Sequence, residues 1–236
     1  MMRFIDYYAW IIKNYQIFKF AYRVNSFSKS SRIFHIYNYI REINQEKSLF
    51  NYLDSQIEQY RRKPYNSGAI DNLSGRVLYI ITRMLKPEVI LETGCGWGVS
   101  STYFLLALYK NDKGRLFSLD LPRFEEEVNY LDYSLSERGG IIPEGKKPGW
   151  IIPDYLRLRW ELIIGKSTEK LESYLNQLNQ INIFFHDSLH SYENMLFEYQ
   201  TSWPFIRKGG ILLSHNINLN SAFFDFCYKL KNPPYL

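Results

Sequence analysis

Val89-Ile90-Leu91-Glu92-Thr93-Gly94-Cys95-Gly96-Trp97-Gly98-Val99-Ser100-Ser101 is a hydrophobic run that breaks into alternating glycines. The β-prone residues closing on an acid predict a buried strand. Gly94, Gly96 and Gly98 predict a turn at which a ligand comes close to bare backbone. From Ser100 onward, Ser-Ser-Thr-Tyr-Phe-Leu-Leu-Ala-Leu-Tyr predicts a helix whose first N–H groups point back at that turn. Strand, glycine turn and helix together describe a nucleotide-type cradle.

Spacing narrows the type. A dinucleotide fingerprint runs G-x-G-x-x-G, with pyrophosphate on the helix N-terminus, whereas this turn runs Glu-x-Gly-x-Gly-x-Gly. It resembles motif I of the class I S-adenosylmethionine-dependent methyltransferases. The resemblance implies S-adenosylmethionine as cofactor, with the backbone of Gly94, Gly96 and Gly98 close to its methionine half. Glu92 would then help hold the amino group, and Ser100 would meet the carboxylate. It also implies an α/β fold: a Rossmann-like methyltransferase sheet, mainly parallel, with helices on both faces.

Composition sets the bounds. The chain has 236 residues, 46% of them hydrophobic, enough for a full core in one domain with an extension. Its formal net charge of +5 is too mild for the dense basic stripe of a nucleic-acid binder. The runs Arg61-Arg62-Lys63 and Lys146-Lys147 fit solvated surface. Two cysteines, Cys95 and Cys227, give no disulfide framework and suit a reducing, cytoplasmic compartment. The opening stretch Met1 to Lys13 carries Asp6 and Lys13 around a short apolar run, which fits neither a signal peptide nor a membrane span.

Residues 1–70 read as an N-terminal helical extension and 71–236 as the main domain. Phe4, Tyr8, Ile11, Tyr15, Phe18 and Tyr22 fall at helical steps, and a second helix is predicted from Ile36 to Tyr60. Basic residues are not confined to one face of the first stripe. Packing against the main domain, or against a second copy in a homo-oligomer, therefore suits it better than a membrane surface. Leu73, Val77, Ile80, Ile81 and Met84 predict a third helix, stopped by Pro87 just before the opening strand.

Beyond the glycine turn, Arg115 to Asp120 predicts a second strand ending in an acid, 28 residues past Glu92. A carboxylate one βα unit along can accept both ribose hydroxyls of an adenosyl group. Residues 121–160 form an irregular insertion, read as a lid, with Trp150 as a cover for the acceptor site. A third strand starts at Trp160, and Ser167 or Thr168 is the expected cap of the next helix. The resemblance places the adenine-contacting turn at Gly165 to Ser167.

A fourth strand, Ile181 to His186, runs into Asp187-Ser188-Leu189-His190-Ser191-Tyr192-Glu193, and a fifth, from Gly209, ends at His215-Asn216. In open α/β sheets ligands bind outside the carboxyl ends of the strands, so these residues share a site. Asp187 to Glu193 and Lys208 to Asn216 resemble a methyltransferase family that pairs D-x-x-H-x-Y-E with a later K-G-G strand ending in His-Asp. The layout is also similar to catechol O-methyltransferase-like enzymes, which hold Mg²⁺ near the acceptor hydroxyl. Carried over by position, Asp187 is the first metal ligand, His190 the base, and His215 and Asn216 the strand-five pair. Each departs from a pattern: His215 and Asn216 stand where one family or the other has an acid.

Mg²⁺ prefers carboxylate oxygens, whereas imidazole suits a transition metal. Asp187 and His190 can also work without metal, the carboxylate orienting an imidazole that takes a proton from the acceptor. The Asn232-Pro233-Pro234-Tyr235 match to amino-methylating enzymes falls after a helix instead of after strand four, and reads as a helix terminator. Asn218 to Leu236 leave room for one helix and a tail, so strands six and seven of the usual sheet are expected to be missing. The expected activity is O-methylation of a small-molecule or sugar-like acceptor. The competing reading is a non-catalytic cofactor-binding or assembly protein on the same fold, with a bare sheet edge as a second place for self-association.

Overall fold

A computed structural model describes residues 29–60, 63, 67–127, 129 and 140–231. The Phe4 to Tyr22 stripe and the Asn-Pro-Pro-Tyr segment lie outside the described residues.

Five strands form one sheet: β1 (Val89–Thr93), β2 (Arg115–Asp120), β3 (Trp160–Ile164), β4 (Ile181–His186) and β5 (Ile206–Ser214). Their order is β3-β2-β1-β4-β5, and every pairing is parallel. The β1–β2, β3–β4 and β4–β5 crossovers each contain an α-helix, and the described part of the β2–β3 crossover holds the 3₁₀ turns Glu125–Glu127 and Asp154–Arg159. The helices before β2 are α1 (Lys29–Gln45), α2 (Lys47–Glu58), α3 (Asn72–Leu85) and α4 (Val99–Asn111). After β3 come α5 (Ser167–Leu178), α6 (Tyr192–Ser202) and α7 (Ala222–Lys229). This is the Rossmann-like methyltransferase architecture.

Strand residues point alternately to the two faces, and the core divides accordingly. Ile90, Leu116, Ile183 and Phe185 face α1 to α4 in one cluster. Leu91, Phe117, Leu119 and Phe184 face α5, α6 and α7 in the other. All of these strand side chains are buried, which is why the strands read as near-continuous apolar runs. Alternation also assigns the polar positions: Glu92 falls on the α4 face, and Thr93 and His186 on the α6 face.

The described part of the N-terminal extension packs on its own chain. Ile36, Ile40 and Ile43 on α1 are fully buried. Glu42 takes two hydrogen bonds from Arg83 of α3, at 2.7 and 2.9 Å. One continuous helix from Ile36 to Tyr60 is not formed; the chain bends at Glu46 (φ −77°, ψ 40°). The bend lets Leu49 and Leu53 of α2 reach the same core. Asp71 caps α3, accepting from Leu73 N at 2.7 Å and Ser74 N at 3.0 Å. Among the described residues no helix is long and apolar enough to cross a membrane.

Candidate functional site

The strand order reverses between β1 and β4, so the connections leaving those strands diverge and open a crevice at the carboxyl edge. Gly94, Asp187 and His215 extend the strand ladders there: Gly94 N donates to Leu119 O, Asp187 N to Thr93 O and His215 N to His186 O, each at 2.9 Å.

The three motif glycines have different duties. A Cβ on Gly94 (φ +84°) would stand 2.1 Å from the Asp187 carbonyl oxygen, and one on Gly98 (φ +98°) 2.8 Å from Gly149 Cα. Those two are glycines because protein backbone crosses them. Around Gly96 (φ +51°) the nearest atoms to such a Cβ are Gly140 Cα at 3.7 Å and the Ser67 carbonyl at 3.8 Å. Of the three, Gly96 alone has bare backbone that no described residue crowds.

Asp120 ends β2 beside that opening. Its carboxylate accepts the Gly96 N–H at 3.0 Å, and burial pushes its pKa up to about 6. Glu92 has different surroundings. It is fully buried and accepts from Ser118 Oγ at 2.5 Å, Ser100 Oγ at 3.2 Å and Ser101 Oγ. Burial pushes its pKa up to about 7. Both Glu92 and Ser100 thus meet each other beneath the turn.

The other predicted positions fall into two groups. Ser167 is not the cap of α5: the N-cap is Lys166, which makes no side-chain capping bond. Ser167 Oγ instead donates to Asn194 Oδ1 at 3.1 Å, because the first turn of α5 lies against α6. Trp150 rests on the glycine turn, its ring neighbours being Tyr60 and Trp97, each with centroids 5.5 Å away. Gly149 N donates to Gly96 O at 2.8 Å and Ile151 N to Trp97 O at 3.3 Å. Ile141, Ile142, Ile151, Ile152 and Leu156 are buried, so this part of the insertion is core that backs the turn.

Asp187 and two histidines converge across the crevice. The sequence pairs Asp187 with His190, but its nearer partner is His215, whose Nδ1 lies 2.8 Å from Asp187 Oδ1; His190 Nε2 is at 3.7 Å. Burial lowers and the Asp187 carboxylate raises the His215 pKa, and the carboxylate prevails. His190 goes the other way: burial and the adjacent imidazoles push it down to about 4. Asn216 turns the chain in the left-handed region (φ 53°), and its carbonyl accepts from Leu219 N at 3.1 Å.

Behind this cluster is a group that sequence reading missed. Glu198 of α6 is fully buried, 2.6 Å from His186 Nδ1, and accepts from Thr93 Oγ1 at 2.5 Å and Ser188 Oγ at 2.7 Å. Its signal was an acid among Met195, Tyr199 and Ser202, at the spacing of one buried helix face. Asp71 was missed too; its charge raises the His215 pKa, which ties the α3 N-terminus to the site.

A search of the curated proteins found no match. Among solved structures, the Podospora anserina methyltransferase PaMTH1 bound to SAH is similar at 17% identity and a TM-score of 0.52, covering 78% of this chain and 80% of that one. The O-methyltransferase TomG from Streptomyces achromogenes, involved in tomaymycin synthesis and solved with SAM, gives 18% and 0.52 over 74% and 69%. An O-methyltransferase from Bacillus cereus, solved with SAH, gives 17% and 0.51 over 78% of both chains. These likenesses show the fold. The family model described as a methyltransferase domain matches residues 91–217, which run from inside β1 to just past β5, and on that match the chain belongs to the class I S-adenosylmethionine-dependent methyltransferases.

Proposed function

We propose that the chain transfers a methyl group from S-adenosylmethionine to a hydroxyl of a small-molecule acceptor. The observation that carries the reading is the 2.8 Å contact between Asp187 and His215 at the strand-order switch. A carboxylate that fixes one imidazole nitrogen leaves the other free to take a proton.

The residues around the glycine turn fit the cofactor. Gly96 leaves open space where any side chain would intrude, and Asp120 brings a carboxylate to the same edge for the ribose hydroxyls. Glu92 acts from below, holding Ser100, Ser101 and Ser118 and with them the start of α4. Bound there, S-adenosylmethionine supplies an electrophilic methyl group on a sulfonium sulfur.

Asp187 orients His215 and stabilises it once protonated; His215 receives the acceptor's proton at Nε2. His190, kept neutral, stands beside the same carboxylate and the His215 ring. Leu189 and Leu219, 67% and 60% exposed, flank the site and suit an acceptor with apolar surface. Alignment of acceptor and methyl donor provides most of the rate, as for any direct displacement. The involvement of TomG in tomaymycin synthesis supports an acceptor of small-molecule size.

The test is methyl transfer from S-adenosylmethionine across a panel of phenolic, sugar and polyketide-type hydroxyl compounds. Turnover with one class is expected, and His215→Asn should lower kcat about 10² to 10⁴-fold while leaving S-adenosylhomocysteine binding intact. Cofactor binding with no turnover on any hydroxyl acceptor would favour the non-catalytic reading, and full activity in His215→Asn would remove the proton-accepting role.

A further inference from the structure

We propose that Asp187, His190 and His215 form a binding site for a borderline divalent ion, Zn²⁺, Co²⁺ or Ni²⁺, rather than for Mg²⁺. One donor atom from each of the three lies within 4.8 Å of the others. The Asp187 oxygen is 2.8 Å from His215 Nδ1 and 3.7 Å from His190 Nε2. Zinc–nitrogen and zinc–oxygen bonds of about 2.0–2.2 Å place neighbouring ligands of a tetrahedron about 3.4 Å apart, a value the two distances bracket.

The Mg²⁺ site of catechol O-methyltransferase-like enzymes does not fit these residues. Mg²⁺ demands oxygen ligands in an octahedron, whereas two of the three donors here are imidazole nitrogens. The disagreement is chemical and favours the softer ions.

His190 supplies an independent observation. Its Nε2 is buried and has no hydrogen-bond partner among the described residues. A buried nitrogen without a partner is costly, and a bound ion removes the cost. Neutral imidazole is the ligating form, and metal binding favours it. The backbone around all three donors is pinned: Asp187 N and His215 N continue the strand ladders, and His190 O accepts from Asn220 Nδ2 at 3.0 Å. Coordination requires His215 to shift its proton from Nδ1 to Nε2, so that the ion replaces the hydrogen bond to Asp187. That takes His215 Nε2 out of proton acceptance, and an ion-loaded protein should transfer methyl groups more slowly.

The site does not depend on cofactor binding and is tested without it. Chelator-treated protein titrated with Co²⁺ should develop the visible d–d absorption of a low-coordinate nitrogen and oxygen site. Zn²⁺ should abolish that absorption at stoichiometric concentration, and millimolar Mg²⁺ should not. His190→Ala and His215→Ala should each weaken Co²⁺ at least about tenfold, with circular dichroism reporting that the variants fold. Absence of the Co²⁺ signal in the wild type, or its displacement by Mg²⁺, would overturn the proposal whether or not the variants fold. Turnover that requires the ion would instead overturn the proton-accepting role of His215 and leave the metal site standing.

Discussion

The chemistry depends on which partner each polar side chain finds. His215 is raised by Asp187, so a rate that needs neutral His215 should fall on the acid side with an apparent pKa above the ordinary imidazole value of about 6.5. A kcat/KM profile should show this limb, and it should vanish in His215→Asn with whatever activity remains. His190, at about 4, cannot supply it. A limb unchanged in His215→Asn would assign the titration to another group.

Glu92 gives a second prediction at this scale. Its pKa rises from 4.5 to about 7 on folding because the carboxyl is buried. Below about pH 4.5 it is protonated in both states and costs nothing. Above about pH 7 it is ionised in both, and the folded state bears a burden on the order of 3 kcal/mol. Stability contributed by this group is therefore lost as pH rises through that window. Urea unfolding at pH 5 and pH 8 should show wild type losing more stability between the two than Glu92→Gln. Equal losses would mean that Glu92 is ionised, and satisfied by its hydroxyls, throughout.

Among the elements, the glycine turn separates structural from ligand-facing positions. Gly94→Ala puts a methyl group 2.1 Å from the Asp187 carbonyl and should cost about 3 kcal/mol or more. Gly96→Ala makes only ordinary van der Waals contacts with the described residues and should cost about 1 kcal/mol for its left-handed backbone, yet lose S-adenosylhomocysteine affinity at least about tenfold. Thermal melts and calorimetry on the two variants would show the contrast. A Gly96→Ala protein that binds as well as wild type would move the cofactor away from this turn.

The elements were largely legible in advance. Short apolar runs punctuated by glycine, and the helical spacing of Leu73, Val77, Ile80, Ile81 and Met84 stopped by Pro87, are local signals, and the five strands and α3 follow from them. The bend at Glu46 was not legible, since no Gly or Pro marks it; tertiary packing of Leu49 and Leu53 decides it. The cap of α5, expected at Ser167 or Thr168, is Lys166, and Ser167 bonds Asn194 instead.

At the scale of the molecule, the site is assembled from segments far apart in sequence, and its pairings were the part least visible beforehand. Which histidine meets Asp187 depends on β5 lying beside β4, and the opposed duties of Gly94 and Gly96 depend on what crosses the turn. Glu198 was hidden likewise, because Thr93 and His186 reach it only when β1 and β4 pack under α6. What the chain did announce was the carboxyl-edge location, since Asp120, Asp187 and His215 each end a strand or follow one directly.

Ligand binding at that edge should stabilise the whole fold, by about 2.7 kcal/mol when the ligand is 100-fold above its Kd. The most direct measurement is calorimetric titration of the wild-type chain with S-adenosylhomocysteine, alongside Asp120→Ala. One site per chain is expected in the wild type, with a loss of at least about tenfold in the variant. No heat of binding in the wild type, or undiminished affinity in Asp120→Ala, would contradict binding at that edge.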